Sequence, residues 1–151
     1  MPHSVFFRST IISLICFFAC TTDQDNLKEE AKKEIIKSEN EFARMAAEKG
    51  IKAAFLFYCD NDAVIKRGND SLVFKKSGID SFYSAPFHKS TTLKWSVDFA
   101  DASDDGSMGY TYGKYSWQLN DSAGNKIDEH QGIFHTVWKR QKDGSWKFVW
   151  D

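Results

Sequence analysis

The segment Met108 to Asp151 constrains the fold more than any other. It reads MGYTYGKYSWQL, then NDSAGNKIDEH, then QGIFHTVWKRQ, KDG and SWKFVWD. β-branched and aromatic residues fill the long stretches, while Gly, Asn and Asp fill the breaks. This pattern predicts three strands joined by two polar turns. Trp117, Trp138, Trp146 and Trp150 all lie in it. So aromatic a meander is not stable alone, and the earlier chain must supply helices that cover one of its faces.

The last turn sets a strand register. A two-residue Asp143-Gly144 turn pairs Arg140 with Lys147 and Val137 with Trp150. A three-residue Lys142-Asp143-Gly144 turn, with Gly144 at positive φ, pairs Trp138 with Phe148 and Val137 with Val149. The second register is preferred because it sorts the faces. Phe134, Thr136, Trp138, Trp146, Phe148 and Trp150 share one face; His135, Val137, Lys139, Lys147, Val149 and Asp151 share the other. A one-residue slip would destroy that segregation.

A chain of 151 residues predicts one domain. The N-terminus stands apart from it. MPHSVFFRST carries Arg8 and no acid, and Ile11 to Ala19 is almost wholly apolar. That stretch is too short to span a bilayer stably and reads as a secretory signal over residues 1–19. Its end, FFAC, is similar to the lipobox of bacterial lipoproteins, with Ala19 fitting and Phe17 and Phe18 departing from it. Cys20 is therefore the expected lipidation site and residues 20–26 a polar tether. Acylation at Cys20 gives stable anchoring, and a place in the bacterial cell envelope, membrane-anchored on the periplasmic or outer-surface side.

With 20 Lys+Arg against 21 Asp+Glu, the chain offers no basic surface for nucleic acid. With Cys20 lipidated and Cys16 removed with the signal, Cys59 is the remaining thiol, so no intrachain disulfide is expected. Cys59 in FLFYCDND reads as a small buried hydrophobe. His88, His130 and His135 lack metal-ligand spacing, and no cofactor motif occurs. Asp60-Asn61-Asp62 lacks the Gly and Glu of a calcium loop and reads as a helix terminus.

Asn26-Leu27-Lys28-Glu29 reads as a capping box. Leu27, Ala31, Ile35, Phe42 and Ala46 then recur at helical intervals, predicting a helix to about Lys49. A second helix is expected from Ile51 to Tyr58, and short strands at Ala63–Lys66 and Ser71–Phe74. A third helix is expected to open at Ser77 and end before Pro86. Leu93, Trp95, Val97 and Phe99 alternate with polar residues as a strand. In the next one, Tyr110 and Tyr112 lie on one parity, and Tyr115 and Trp117 on the other. A bulge or bend at Gly113 would restore a common face.

This order, with GYTYGKY at Gly109–Tyr115, GIFHTVWKRQ at Gly132–Gln141, DGSWKFVWD at Asp143–Asp151 and the helical stretch Glu41–Val64, resembles the nuclear transport factor 2-like superfamily, in particular its SnoaL-like and ketosteroid-isomerase-like bacterial members. The resemblance covers about Lys33 to Asp151. It implies an α+β fold over residues 27–151, a cone-shaped curved antiparallel sheet wrapped around three helices, with a pocket at the wide end. It also implies a homodimer through the sheet. Such members include isomerases, cyclases, dehydratases and non-catalytic binders, so fold alone assigns no activity.

On that resemblance Phe42, Met45, Tyr58, Phe82, Trp95, Tyr112 and Tyr115 are the expected pocket residues. They suit a small apolar or amphipathic molecule. Enzymes of the superfamily use carboxylates, Tyr or His within the cone, so Asp60 and Asp98 are further candidates here. The preferred register places His135 directly opposite Asp151, close enough for an imidazole–carboxylate hydrogen bond. They are the expected acid–base pair if the chain is a lyase or isomerase. A non-catalytic dimeric interaction module is the third reading.

Overall fold

The structure is a computed structural model describing residues 19–68 and 70–151, with side chains from Gln24 onward. Residues 1–18 of the predicted signal and the Cys20 side chain lie outside the described residues. The helices are α1 (Ala19–Lys49), α2 (Ile51–Tyr58) and α3 (Lys75–Tyr83). The strands are β1 (Cys59–Arg67), β2 (Ser71–Phe74), β3 (Thr91–Ala102), β4 (Met108–Asn120), β5 (Lys126–Arg140) and β6 (Trp146–Trp150). A 3-10 turn, Pro86–Ser90, joins α3 to β3.

Two boundaries differ from expectation. α1 begins at Ala19, so Asn26 lies inside it and the predicted capping box is not a cap. Asp60, Asn61 and Asp62 sit within β1 and not at a helix end. In the second case the buried positions Cys59, Ala63 and Ile65 draw the acidic run into the sheet.

The strands form one curved sheet in the order β2-β1-β6-β5-β4-β3. Neighbours are antiparallel except β1 and β6, which run parallel, so the sheet is mixed. The chain's last strand thereby enters the middle of the sheet. Lys66 N donates to Asp151 O at 2.7 Å and Asp151 N to Val64 O at 3.1 Å.

α1 lies across the concave face. Its stripe Ala31, Ile35, Phe42 and Ala46 is buried. Phe42 is its centre, with ring centroids 4.8 Å from Phe55, 4.9 Å from Trp95 and 5.7 Å from Phe148. Each such pair adds about 0.5–1.5 kcal/mol beyond area burial. Trp138 and Phe148, paired across β5 and β6, are wholly buried against this cluster.

The β5–β6 turn has the preferred three residues. Gln141 N donates to Ser145 O at 2.7 Å, and Gly144 takes φ 84°. Trp138 pairs with Phe148, as that register requires. The register then shifts: Val149 bulges, and Val137 pairs with Trp150. The expected Val137–Val149 pair is lost, and with it the alignment of His135 with Asp151.

Gly113 acts differently from expectation too. The extra residue lies in β3, at Asp98, because Val97 pairs with Gly113 and Phe99 with Tyr112. A Cβ at Gly113 would collide with the Ser96 carbonyl, so glycine lets β3 bulge over it. β4 itself keeps its alternation. Tyr115 and Trp117 face the concave side, and Tyr110 and Tyr112 the convex side.

Candidate functional site

The concave side holds two polar clusters. One is sealed in the core. Glu39, on the α1 stripe, is 1% exposed. Its Oε1 accepts from Trp95 Nε1 at 2.6 Å; its Oε2 accepts from Thr111 Oγ1 at 2.6 Å and Trp138 Nε1 at 2.9 Å. No cation is bonded to it among the described residues. Burial therefore pushes its carboxyl up to about 7, although the Thr111 and indole hydrogen bonds oppose the rise.

The second cluster borders a cleft of about 780 Å3, a size suited to a small molecule. Phe82, Phe87, Trp95, Tyr115, Trp117 and Phe134 give it aromatic walls, and Trp150 and Asp151 lie at its polar end. Arg67, at the end of β1, organises that end. Its Nη2 meets Asp151 Oδ1 at 2.6 Å and Tyr83 Oη at 2.9 Å, and its Nε donates to Tyr83 Oη at 3.1 Å. Thr136 Oγ1 donates to Asp151 Oδ2 at 3.3 Å. Burial disfavours the guanidinium charge, but Asp151 and Tyr83 outweigh it and raise the Arg67 pKa. Burial raises the Tyr83 phenol, with Arg67 opposing. His88 also borders the cleft. Burial and then Arg67 lower its pKa, which favours the neutral imidazole. Its Nε2 is buried with no hydrogen-bond partner among the described residues.

The expected residues divide. Phe82, Trp95 and Tyr115 line the cleft. Phe42 and Tyr58 are buried core residues, in ring contact with each other, and Met45 packs against that core. Tyr112 corrects an expectation: it is 39% exposed on the convex side, stacked on Phe99 at 5.1 Å. His135 and Asp151 are not a pair. His135 is exposed at the cleft rim, 5.8 Å from the Tyr110 ring, while Asp151 turns inward to Arg67 and Thr136. The Val149 bulge is the cause, since one added residue exchanges the neighbours of every later position. Asp98 is exposed at its bulge, and Asp60 hydrogen-bonds Gln141 away from the cleft. Cys59 is buried, and burial raises its thiol pKa.

Glu39, Arg67, Tyr83 and His88 were not singled out from the sequence. One signal existed for Glu39. The stripe Ala31, Ile35, Phe42, Ala46 leaves a gap at the position four residues after Ile35, and Glu39 fills it. Arg67 reads as part of a turn because Gly68-Asn69-Asp70 follows it.

No family model matches the chain, and no curated protein matches it by sequence. Solved structures match it in fold. A ketosteroid isomerase-like protein from Erwinia carotovora atroseptica superposes with TM-score 0.65 at 11% identity, covering 80% of this chain and 92% of that one. A nuclear transport factor 2-like superfamily protein from Salmonella enterica serovar Typhimurium gives TM-score 0.59 at 16% identity, covering 81% and 88%. The chain thus has the α+β nuclear transport factor 2-like fold. At these identities the likeness defines the fold alone.

Proposed function

We propose that this domain binds a small apolar or amphipathic molecule in the cone. The observation that carries this reading is the cleft of about 780 Å3, with aromatic walls and a polar end at Arg67, Tyr83 and Asp151. Aromatic walls supply area and the polar end supplies orientation, the usual division of labour in a binding pocket. Calorimetric titration with 2-methoxynaphthalene, an uncharged bicyclic probe, tests it. Saturable one-to-one binding is expected, and Leu93→Trp, which fills the cleft from β3, should abolish it. Absence of binding to the unaltered protein would overturn the reading.

Two parts of this proposal concern where the domain sits. Acylation at Cys20 anchors it in the bacterial envelope, so Cys20→Ala should move it out of the membrane fraction. On the convex side, Phe99, Met108, Tyr110, Tyr112 and Ile133 are all exposed by 36% or more. An apolar patch on that scale favours a second copy of the same face over water. Sedimentation should therefore give a dimer, and Tyr112→Lys a monomer.

The alternative, lyase or isomerase chemistry, has one observation in its favour: the unpartnered Nε2 of a neutral His88 beside the cleft. Turnover of a cyclic substrate that is lost in His88→Gln, with binding retained, would establish it.

A further inference from the structure

The cleft's charges are already matched. Arg67 meets Asp151 at 2.6 Å, and Lys66 meets Asp70 at 2.7 Å. Arg67 has no N–H to spare. Its Nε and Nη2 serve Tyr83 and Asp151, and its Nη1 donates to the Lys66 carbonyl at 2.6 Å and the Asp151 carbonyl at 3.4 Å. A guanidinium has five N–H groups, and all five are engaged. An anionic ligand would have to break this set, leaving the Asp151 carboxylate without its cation.

Two polar functions at this end remain unspent. The Tyr83 oxygen accepts twice from Arg67, while its own proton has no acceptor among the described residues. The His88 Nε2 has no partner among the described residues. The two rings are neighbours, with centroids 4.9 Å apart. An unpaired buried polar atom is destabilising, so a group that pairs both is selectively favoured. A carbonyl offers only acceptance. A hydroxyl accepts from the phenol and also serves either tautomer of the imidazole.

We propose that the polar end of the cleft is a hydroxyl-recognition site, and that its ligand is an uncharged ring alcohol or phenol whose hydroxyl bridges Tyr83 and His88. The proposal rests on the binding reading above. The ring lies among Phe82, Trp95, Tyr115, Trp117 and Phe134. Half-exposed Phe87, whose ring is 3.8 Å from the imidazole, is the side chain that would have to shift for a hydroxyl to reach the buried Nε2.

Calorimetry on the full chain with three matched probes tests this. 2-Naphthol should bind about 10-fold more tightly than 2-methoxynaphthalene, the difference expected for one net hydrogen bond, and 2-naphthoate most weakly. His88→Phe should bring the two uncharged probes to within about twofold of one another, whereas Tyr83→Phe, which removes a donor that both probes can use, should weaken both alike and keep their ratio. Because Tyr83→Phe also removes a partner of Arg67, His88→Phe carries the test if that variant fails to fold. Equal binding of naphthol and its methyl ether to the unaltered protein overturns the hydroxyl site and leaves the cleft reading intact. Tightest binding of naphthoate overturns the charge argument. If no probe binds, the cleft reading falls first.

Discussion

Glu39 and Asp151 are both inward-facing carboxylates on the concave side, and the fold treats them in opposite ways. Asp151 faces a guanidinium at 2.6 Å and a threonine hydroxyl. Glu39 faces only neutral donors, two indoles and Thr111. Neutral donors satisfy the lone pairs but do not repay the removal of a charge from water. The same functional group is therefore a tie in one place and a titratable strain in the other. Hydrogen-bond length does not separate them, because each carboxylate has a bond of 2.6 Å; the presence of a cation does.

The largest effect should come from removing the donor that both the core and Glu39 depend on. Trp138→Ala is expected to destabilise the fold by about 3–5 kcal/mol, measured by denaturant unfolding, because it opens a cavity at a wholly buried site. Asp151→Ala should follow at about 2 kcal/mol, since it strands the partly buried Arg67 charge. Arg67→Met combined with Asp151→Leu should recover much of that loss, and no recovery would mean the pair is not the cause.

Glu39→Gln should act in the other direction. Its carboxyl titrates at about 7 in the fold against 4.5 outside it. Between those values the folded state holds the extra proton, so this group's contribution to stability falls as pH rises through that window. Above pH 7 the full penalty applies, about 3 kcal/mol for a shift of this size. Glu39→Gln should be more stable than the parent at pH 8 by about 2 kcal/mol after weaker hydrogen bonding is allowed for. That advantage should shrink towards pH 4.5. A difference independent of pH would show that Glu39 does not titrate there. Smallest of all is His135→Ala, expected within about 0.5 kcal/mol by thermal unfolding and without effect on probe binding. A large loss of binding would restore the rim histidine to the site.

Much of the architecture was legible locally. The Lys142-Asp143-Gly144 turn fixed the Trp138–Phe148 pair, and Gly50 marked the end of α1 at Lys49. Three features were not legible, each for a physical reason. The parallel β1–β6 pair joins Cys59 to Phe148, and such distant pairing leaves no trace in local periodicity. The bulges at Asp98 and Val149 depend on what the facing strand allows, as the collision at Gly113 shows. Glu39 lies in a helix rich in charge, where a carboxylate reads as solvated unless the gap in the apolar stripe is noticed. The candidate site suffered most, because its residues come from β1, α3, the 3-10 turn and β6.

The place of β6 bears on how the chain folds. The β3–β5 meander is contiguous in sequence and can zip from its own turns, whereas β1 and β2 form a separate hairpin. Only β6 joins the two, through one parallel and one antiparallel partner. Its pairing with β1 closes the longest loop of any strand pair in the sheet, so among the strand pairings it meets the largest entropic barrier. Because β6 follows β5 through a local three-residue turn, the rate-limiting step is expected to be the docking of β1 against Trp146–Trp150. Until they meet, the edges of β1 and β6 are unpaired and open to association with other chains.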